Sequence, residues 1–371
     1  MADFLHGGGV GRGIEIKASW FAARGYSVDV VSWHVVRELS GRPNPTLAAF
    51  ARDGIPVRDW ALRGRGTLVR QAARLAFLSL RRGARIVVGH GLRPNTVAGL
   101  AKVISGGRLR AIGQIHNESS LLARTKVSPS LVSLARRMHR RLDAIVAVSA
   151  EVGDDAAGFL GLERSHVQTI FNPFPLAAIR TAAAGPLPPV AAGLGEYVVA
   201  CGRLAEMKAF PDLVSAFRRV RERHPRLSLL ILGEGPDRQA LADHAAREGV
   251  AAHVRMPGHV DDPYPCFRQA RALAFTSHFG EASPRVLVEA LACEVPIVTS
   301  RCRLGAAEIV EGGRCALLYE PGDVDALAAA LSRTLERPDE ARERVARGRV
   351  RVEAFAAERI LPRLEQCYLG Q

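Results

Sequence analysis

The sequence lacks the long apolar segments of a membrane-spanning or exported protein. Across its 371 residues, no apolar run approaches the roughly 20 residues that a helix needs to cross a bilayer. The N-terminus also lacks a basic segment followed by a long apolar core, which a secretory signal requires. We therefore expect a cytoplasmic protein.

Metal and cofactor signatures are also missing. The six cysteines are scattered without Cys-x-x-Cys spacing and stand mostly inside apolar stretches. They are interpreted as small buried residues in a reducing compartment, not as zinc ligands or a disulfide frame. Asp154-Asp155 and Asp261-Asp262 are interpreted as helix-start or loop acids, not as an Asp-x-Asp metal site. The glycine-rich start lacks G-x-G-x-x-G spacing with a suitable acidic residue, which excludes a nicotinamide cofactor.

Acidic residues are few in the first half of the chain. Residues 1–180 contain 26 Lys and Arg against 12 Asp and Glu, whereas residues 181–371 contain 25 of each. The first half therefore carries the whole net charge of +14. A one-sided basic field attracts an anionic partner, which can be nucleic acid, an anionic membrane or a phosphorylated substrate. The alternative is an arginine-rich composition, since only four of the 51 basic residues are lysine.

What the sequence does contain is an alternation of apolar, β-branched runs with stretches rich in Ala, Leu and Arg. This pattern is typical of parallel sheets covered by helices, and so of an α/β fold. Prolines cluster between residues 173 and 189, which predicts a linker near 174–194. We predict two doubly wound, Rossmann-like domains facing each other across an inter-domain cleft, with ligands at the carboxyl ends of the strands. The predicted strands are 27–33, 85–89, 110–116, 143–149, 197–201, 227–232, 254–256, 272–276 and 295–299.

Two candidate phosphate-binding segments follow strands in the second half. Arg203 and Lys208 stand in the loop after strand 197–201. Two such cations can neutralise a diphosphate, Arg through its bidentate fork and Lys as a point charge. The next strand ends in a Gly-Glu-Gly-Pro turn around Glu234, where glycine lets the backbone approach a ligand closely. An ordinary strand-to-helix turn is the alternative for this second segment.

The segment 279–296 predicts a helix with an anion-binding start. Ser283 and Pro284 are a good cap and a good first-turn residue. The free N–H groups of Val286 and Leu287 would then point outward at the positive end of the helix and bind phosphate.

Two glutamates flank this helix start. Glu281 precedes the helix, and Glu289 follows eight residues later among apolar neighbours. A carboxylate in such surroundings needs hydrogen bonds, which a ribose diol would supply. The alternative is a glutamate on the exposed face of the helix.

Taken in order, these motifs resemble the family-4 retaining glycosyltransferases of the GT-B fold. The family's Glu-x7-Glu motif matches Glu281 and Glu289, and an Ala-rich stretch ending in Pro296 follows it. The resemblance implies an acceptor-side domain at 1–175 and a nucleotide-sugar-binding domain at 190–355. It also implies a final helix at 356–371 that packs back toward the first domain.

The same resemblance assigns roles in the second domain. Arg203 and Lys208 would hold the diphosphate of the donor, and Glu281 would contact hydroxyl groups of the donor sugar. Glu289 would bind the ribose. The backbone-lined part of the donor site would include Gly202, Glu234, Val286 and Leu287.

In the first domain the resemblance is carried by a glycine-rich loop and by residues at strand ends. Gly9 belongs to the loop that would approach the donor phosphate, ahead of a helix that ends near Arg24. Only residues 1–5 precede this loop, so the first strand is short or the true start lies upstream. His116 would lie near the donor sugar, the alternative being a structural histidine. His90 and Asn117 would line the acceptor side.

The function that the resemblance implies is retaining transfer of a sugar from a UDP-, GDP- or ADP-sugar. The acceptor would be a glycan or a polyprenyl-phosphate-linked glycan in cell-surface polysaccharide or glycolipid synthesis, without a cofactor, an essential metal or nucleic acid. We expect same-face attack assisted by the leaving phosphate. The alternatives are a nucleotide-sugar epimerase of similar fold and a non-catalytic protein that binds anionic lipid or nucleic acid.

A basic helix predicted at 131–142 suggests where a membrane could bind. Leu131, Leu134, Met138 and Leu142 form one apolar stripe. The opposite face carries Arg136, Arg137, Arg140 and Arg141. This face is a candidate contact with an anionic membrane at the cytoplasmic surface, and a solvated face is the alternative.

Overall fold

The computed structural model describes residues 9–39, 42–60, 67–120 and 127–371. The chain forms two compact units. Met1–Phe174 and Ala357–Gln371 make up the first, and Pro175–Ala356 makes up the second. Each unit is built on parallel β-strands with helices between them, so the predicted α/β class is confirmed.

The strands are short. They are β1 Val30–Ser32, β2 Glu38–Leu39, β3 Arg42–Pro43, β4 Val57–Asp59, β5 Ile86–His90, β6 Arg110–Ile115, β7 Ala144–Ala147, β8 Val167–Thr169, β9 Tyr197–Cys201, β10 Ser228–Leu232, β11 Val254–Gly258, β12 Ala272–Phe275, β13 Ile297–Ser300 and β14 Leu317–Tyr319. All nine predicted strands have a counterpart among these.

The α-helices of the described residues connect these strands. They are α1 Gly9–Ala23, α2 Pro45–Arg52, α3 Thr67–Arg81, α4 Leu92–Ile104, α5 Pro129–His139, α6 Ala150–Leu160, α7 Leu176–Ala183, α8 Phe210–Arg223, α9 Arg238–Arg247, α10 Tyr264–Gln269, α11 Arg285–Ala292, α12 Ala306–Ile309, α13 Val324–Glu336, α14 Pro338–Arg351 and α15 Ala357–Leu369. None of them is long and apolar enough to cross a bilayer.

In the first unit, strands β5, β6, β7 and β8 lie side by side in that order and are all parallel. Strands β1 and β4 form a further parallel pair, and β2 and β3 pair antiparallel. Helix α15 packs against this unit, where Ile360 and Leu364 join a buried cluster with Ile112 and Val146. The last helix of the chain therefore belongs to the core of the first unit.

The second unit contains one six-stranded parallel sheet in the order β11-β10-β9-β12-β13-β14. Numbered within the unit, this is the doubly wound order 3-2-1-4-5-6, and the direction of winding reverses between β9 and β12. The carboxyl ends of these two strands flank the topological switch point. Loops that leave β9 and β12 are thus placed to meet over a ligand.

Helix α8 illustrates how the second unit encloses its sheet. Leu213, Phe217 and Val220 recur along one face of this helix and are buried, whereas its arginines lie on the other faces. Burial of a side chain such as Phe217 stabilises the fold by about 1.5–3 kcal/mol. The apolar stripe thus fixes α8 on the sheet and holds the loop that precedes it.

Two features differ from the sequence-based expectations. Part of the predicted linker at 174–194 is helical, because α7 begins directly after Pro175, a position where proline does not interrupt a helix. The short strands β2, β3, β4, β8 and β14 were not predicted; each spans two or three residues, too few for a clear alternation of apolar and polar positions. The expected first strand at 1–5 lies outside the described residues.

Candidate functional site

The loops after β9 and β12 meet through an ion pair. The Lys208 ammonium contacts a carboxylate oxygen of Glu281, and both side chains are about 85% buried, with 15% and 14% exposed. The Lys208 ammonium also lies 5.2 Å from the ring centroid of Phe275 at the end of β12. Because β9 and β12 flank the switch point, this pair marks the ligand-binding edge of the sheet.

Main-chain contacts fix Lys208 in this position. The Thr276 hydroxyl donates to the Lys208 carbonyl oxygen at 2.6 Å, and the His278 N–H donates to that of Met207 at 2.9 Å. Ala209 then takes the left-handed conformation, with φ of 47°, to turn the chain into α8. A non-glycine residue in that region is strained and is found most often at functional sites. The cation is therefore held by the backbone around it.

Glycines allow the loops at this edge to approach each other closely. A Cβ atom on Gly233, whose φ is 140°, would lie 1.9 Å from the Gly202 carbonyl oxygen. One on Gly235 would lie 2.1 Å from the Leu204 carbonyl oxygen. The two loops thus pack backbone to backbone, which leaves peptide groups rather than side chains to face a ligand.

Two further donor-site candidates lie in these loops. The exposed Arg203 follows Gly202 directly and makes no hydrogen bond or ion pair with the residues that the structure describes. The Glu234 carboxylate accepts from Arg238 at 3.0 Å and from the Gly235 N–H at 3.2 Å. Glu234 thus orders its own turn, whereas Arg203 can reach an anion.

The start of α11 differs from the prediction. The residue at the N-cap is Pro284, and no side chain caps the helix, so the predicted Ser283 cap is wrong. The Leu287 N–H donates to the Pro284 carbonyl oxygen at 3.1 Å, because the first turn is tighter than an α-helix. Leu287 is therefore not a free donor for phosphate. Val286 is buried at the same end of the helix.

Glu289 lies within α11, with its side chain 15% exposed. Its carboxylate accepts from Arg285 at 3.3 Å, one helical turn earlier. Burial, with a smaller contribution from the Glu289 charge, raises the pKa of the Cys201 thiol to about 12. Glu289 therefore lies close to the carboxyl end of β9, on the same edge of the sheet as Lys208.

In the first unit, two histidines form a buried pair at adjacent strand ends. His90 ends β5 and His116 follows β6, with His90 Nδ1 3.0 Å from His116 Nε2. Burial lowers the pKa of both imidazoles well below the usual value, and the nearby Lys17 ammonium lowers it further. The pair is therefore neutral at physiological pH. His116 Nδ1 is buried without a hydrogen-bond partner among the described residues.

A polar network under this pair was not predicted. Lys17, on α1, is buried and donates to the Gln114 side-chain oxygen at 2.6 Å, and the Gln114 amide contacts the Tyr368 hydroxyl. These partners are 97 and 254 residues apart in the chain. The sequence offers little signal for this network, because Lys17 stands near the charged residues Arg12 and Glu15 in α1.

Two further predicted site residues of the first unit, Gly9 and Asn117, lie at the surface. Gly9 is the exposed first residue of α1, and Asn117 is exposed beside His116. Arg136 on α5 donates to the Phe159 carbonyl oxygen at 2.9 Å, and Arg140, directly after α5, donates to that of Gly161 at 3.2 Å. Both arginines bind the end of α6 and are still exposed, and the membrane contact of this face stays a prediction.

No three His, Cys, Asp or Glu side chains cluster as metal ligands within residues 9–39, 42–60, 67–120 and 127–371.

Family models match both parts of the chain. The model described as Glycosyltransferase Family 4 matches residues 7–178, and the one described as Glycosyl transferases group 1 matches residues 192–351. A glycogen synthase of Mycobacterium tuberculosis is 28% identical over 98% of this chain and 91% of its own length. A GDP-mannose-dependent alpha-(1-6)-phosphatidylinositol monomannoside mannosyltransferase of Mycolicibacterium smegmatis is 33% identical over 39% of this chain and 41% of its own.

Solved structures share the fold. Anabaena HepE in complex with UDP is similar with a TM-score of 0.84 at 18% identity, covering 100% of this chain and 98% of that chain. This similarity confirms the predicted GT-B fold. Because the two family models together span most of the chain in the predicted order, the protein belongs to glycosyltransferase family 4.

Proposed function

We propose that the protein is a retaining glycosyltransferase that uses a nucleotide-diphosphate sugar. It would transfer a hexosyl group to a glycan or a lipid-linked glycan. The observation that carries the proposal is the Lys208–Glu281 pair at the switch point of the second unit. A cation held by backbone contacts at the carboxyl edge of a parallel sheet suits a phosphate group of a bound nucleotide.

The charges at this edge suit a leaving diphosphate. Lys208 is balanced by Glu281, whereas the neighbouring Arg203 is exposed and adds positive charge. Negative charge grows on the phosphate as the glycosidic bond breaks. Cations fixed before the reaction stabilise that charge without reorganising. Lys208 and Arg203 would therefore act mainly on kcat.

The pairing of Glu281 also bears on the stereochemistry. A carboxylate that is held by Lys208 is poorly placed to serve as a covalent nucleophile on the donor sugar. In the proposed reaction, the acceptor hydroxyl oxygen bonds to the anomeric carbon on the face from which the diphosphate leaves. The anomeric carbon–oxygen bond to phosphate breaks, and the hydroxyl proton passes to the departing phosphate oxygen. The anomeric configuration of the donor is thus retained.

The buried histidine pair would act on the sugar. A neutral imidazole can donate or accept one hydrogen bond to a hydroxyl group without adding charge. His116 Nδ1, buried without a described partner, would supply that bond, and His90 would hold the ring in place.

The choice of acceptor rests on the named relatives. One relative is named for transfer to a phosphatidylinositol mannoside and another for glycogen synthesis. Both acceptors are glycans, and one of them is anchored in lipid. We therefore propose a glycan acceptor, free or lipid-linked, in cell-surface polysaccharide or glycolipid synthesis.

A panel of nucleotide sugars tests the proposal. Purified protein is screened against UDP-, GDP- and ADP-sugars by thermal shift, where a ligand at 100 times its Kd adds ~2.7 kcal/mol of stability. Release of the nucleoside diphosphate and the anomer of the product are then measured with and without a lipid extract. We expect stabilisation by one donor, and release that increases with the acceptor.

Two outcomes would contradict this function. An epimerase would convert the nucleotide sugar to its isomer without releasing diphosphate. A binding protein without catalytic activity would show no turnover of any donor. An inverted anomer in the product would refute the retaining mechanism alone.

A further inference from the structure

The first unit exposes apolar side chains on two neighbouring helices. Val69, Phe77 and Leu80 lie on α3 and are 55%, 65% and 41% exposed. Val103 and Ile104 end α4 and are 49% and 47% exposed. Single exposed apolar residues are common, but a contiguous group marks an interaction surface.

The exposed face of α3 is divided into two stripes. Val69, Phe77 and Leu80 recur at spacings of eight and three residues, which places them on one side of the helix. Arg74 and Arg81 lie beside this stripe and are also exposed. Leu75, on the opposite face, is buried in the core of the unit. Helix α3 is thus anchored by one face and presents apolar and cationic groups on the other.

The end of α4 extends the same surface. Strands β5 and β6 are parallel, and Ile86 lies opposite Arg110. The turns that connect α3 to β5 and α4 to β6 therefore lie side by side, and the Arg110 N–H donates to the Arg85 carbonyl oxygen at 2.8 Å. Val103 and Ile104 are thus close to the C-terminal end of α3, where Leu80 lies.

The charge of this region has one sign. Residues 60–117 contain eleven Lys and Arg and no Asp or Glu. From the adjoining elements, Asp29 contacts Arg82 at 3.8 Å and Asp143 contacts Lys102 at 2.8 Å. Arg74 stacks over the Trp60 ring at 4.3 Å and forms no ion pair within the part of the chain that the structure describes. Most of the net positive charge of the protein is therefore concentrated in this segment.

We propose that the exposed faces of α3 and the end of α4 dock on an anionic lipid bilayer. Phe and Leu side chains would enter the interface between head groups and acyl chains, and the arginines beside them would contact lipid phosphates. Nucleic acid would account for the arginines but not for an exposed stripe of aliphatic and aromatic side chains on a helix. The docking does not depend on the proposed sugar transfer.

This surface replaces the one predicted on α5. Of the four arginines on α5 and in the turn after it, two bind carbonyl oxygens at the end of α6. None of the large exposed apolar residues of the described chain lies on α5. Interfacial binding needs exposed apolar side chains and cationic side chains on the same helix. Helix α3 has both, whereas α5 has only part of the cationic set.

Vesicle sedimentation of the full chain tests the docking. Phosphatidylcholine vesicles are compared with vesicles of equal parts phosphatidylcholine and phosphatidylglycerol. Native protein should bind the anionic vesicles, and its binding should fall as salt rises from about 0.05 M to about 0.5 M. The double variant Phe77→Gln with Leu80→Gln should bind them about 10-fold more weakly. Arg85 is exposed in the turn between α3 and β5, and the variant Arg81→Gln with Arg85→Gln should lose roughly 10-fold at low salt.

Matched variants outside the surface serve as controls. Val350, on α14 of the second unit, is 76% exposed, so Val350→Gln removes an equally accessible apolar group. Arg137→Gln with Arg141→Gln removes two exposed charges from α5 and the turn after it. Both controls should bind anionic vesicles as native protein does. All variants should keep the native melting temperature and donor binding, because exposed substitutions change stability by about 0.5 kcal/mol or less.

Three results would overturn the proposal. Native-like vesicle binding by the Phe77 and Leu80 variant would show that the apolar stripe does not insert. Loss of binding in the α5 control alone would assign the membrane contact to α5. Binding of a labelled oligonucleotide that depends on Arg81 and Arg85, with no vesicle binding, would assign the surface to nucleic acid. Donor turnover measured on the same samples separates each result from a failure of the proposed transferase activity.

Discussion

The side chains at the strand ends of the two units differ in charge. Around the switch point of the second unit, charges are retained and paired, Lys208 with Glu281 and Arg285 with Glu289. At the corresponding strand ends of the first unit, His90 and His116 are kept neutral by burial. Paired charges suit a ligand that is itself charged, such as a diphosphate. Neutral imidazoles suit hydroxyl groups, which are recognised through directional hydrogen bonds and not through charge.

The net positive charge and the candidate diphosphate site also lie in different units. The first unit carries the positive excess, yet much of it lies on α3 and in the turns before β5 and β6, at the amino ends of these strands. The second half of the chain has equal numbers of charges of each sign and holds the candidate diphosphate site. The basic composition of the first unit therefore indicates a partner that binds its surface. Individual cations at the candidate site of the second unit indicate the substrate.

The largest expected effect concerns the cations of the second unit. Lys208→Ala should lower kcat by about 100- to 1000-fold, because the variant loses charge stabilisation of the leaving phosphate. Arg203→Ala should act in the same direction. The matched control is Lys102→Ala, which removes a lysine paired with Asp143 at 2.8 Å in the first unit. Steady-state kinetics with the preferred donor, with circular dichroism to check folding, decides the outcome.

Native kcat in Lys208→Ala would remove this residue from the site. A loss of native activity in EDTA would instead show that a metal ion stabilises the leaving group, contrary to the expectation of metal-independent catalysis.

The next effect concerns donor affinity. Glu289→Ala should raise the Kd of the donor by about 10- to 100-fold, which corresponds to the loss of a hydrogen bond to a charged group. Glu343→Ala is the control, because Glu343 also accepts from an arginine one helical turn away, at 3.5 Å on α14. Calorimetric titration measures both variants. Equal affinities would mean that Glu289 orders Arg285 and does not bind the ribose.

The smallest effect tests the claim that the first unit keeps its histidines neutral. His139, on α5, is buried, and burial lowers its pKa to about 4. The unfolded chain therefore binds more protons than the folded chain between pH 6.5 and 4, so stability falls as the pH falls through that range. Between pH 7.5 and 5, native protein should lose about 2 kcal/mol more than His139→Gln does.

Urea unfolding at the two pH values measures this difference. The free-energy cost of repacking around the introduced glutamine is the same at both pH values and cancels in the difference. A native and a variant curve with the same pH dependence would show that His139 titrates normally in the folded protein.

The sequence was sufficient where neighbours in the chain are neighbours in the fold. The strand ends, the glycine turns and the positions of Lys208 and Glu281 all follow from short segments with a regular order. Each strand of the second-unit sheet except β14 was predicted. Parallel strands buried on both faces produce continuous apolar runs, which are easily recognised.

The sequence was insufficient where the partners are far apart or where a turn departs from the standard geometry. The contacts of Gln114 with Lys17 and Tyr368 join three distant segments. The start of α11 has a favourable cap sequence, but Pro284 takes the cap position and Leu287 bonds back to it. Capping preferences are worth about 1 kcal/mol, and the packing of the loop that holds Glu281 can override them.

The most direct test of the central claim is calorimetric titration with UDP, GDP and ADP in the absence of any sugar. We expect a single site for one of these nucleotides. Lys208→Ala should weaken its binding by about 10-fold or more, whereas His116→Ala should leave the affinity unchanged, because the histidine acts on the sugar. Affinity that falls with His116→Ala but not with Lys208→Ala would place the nucleotide in the first unit and contradict the account.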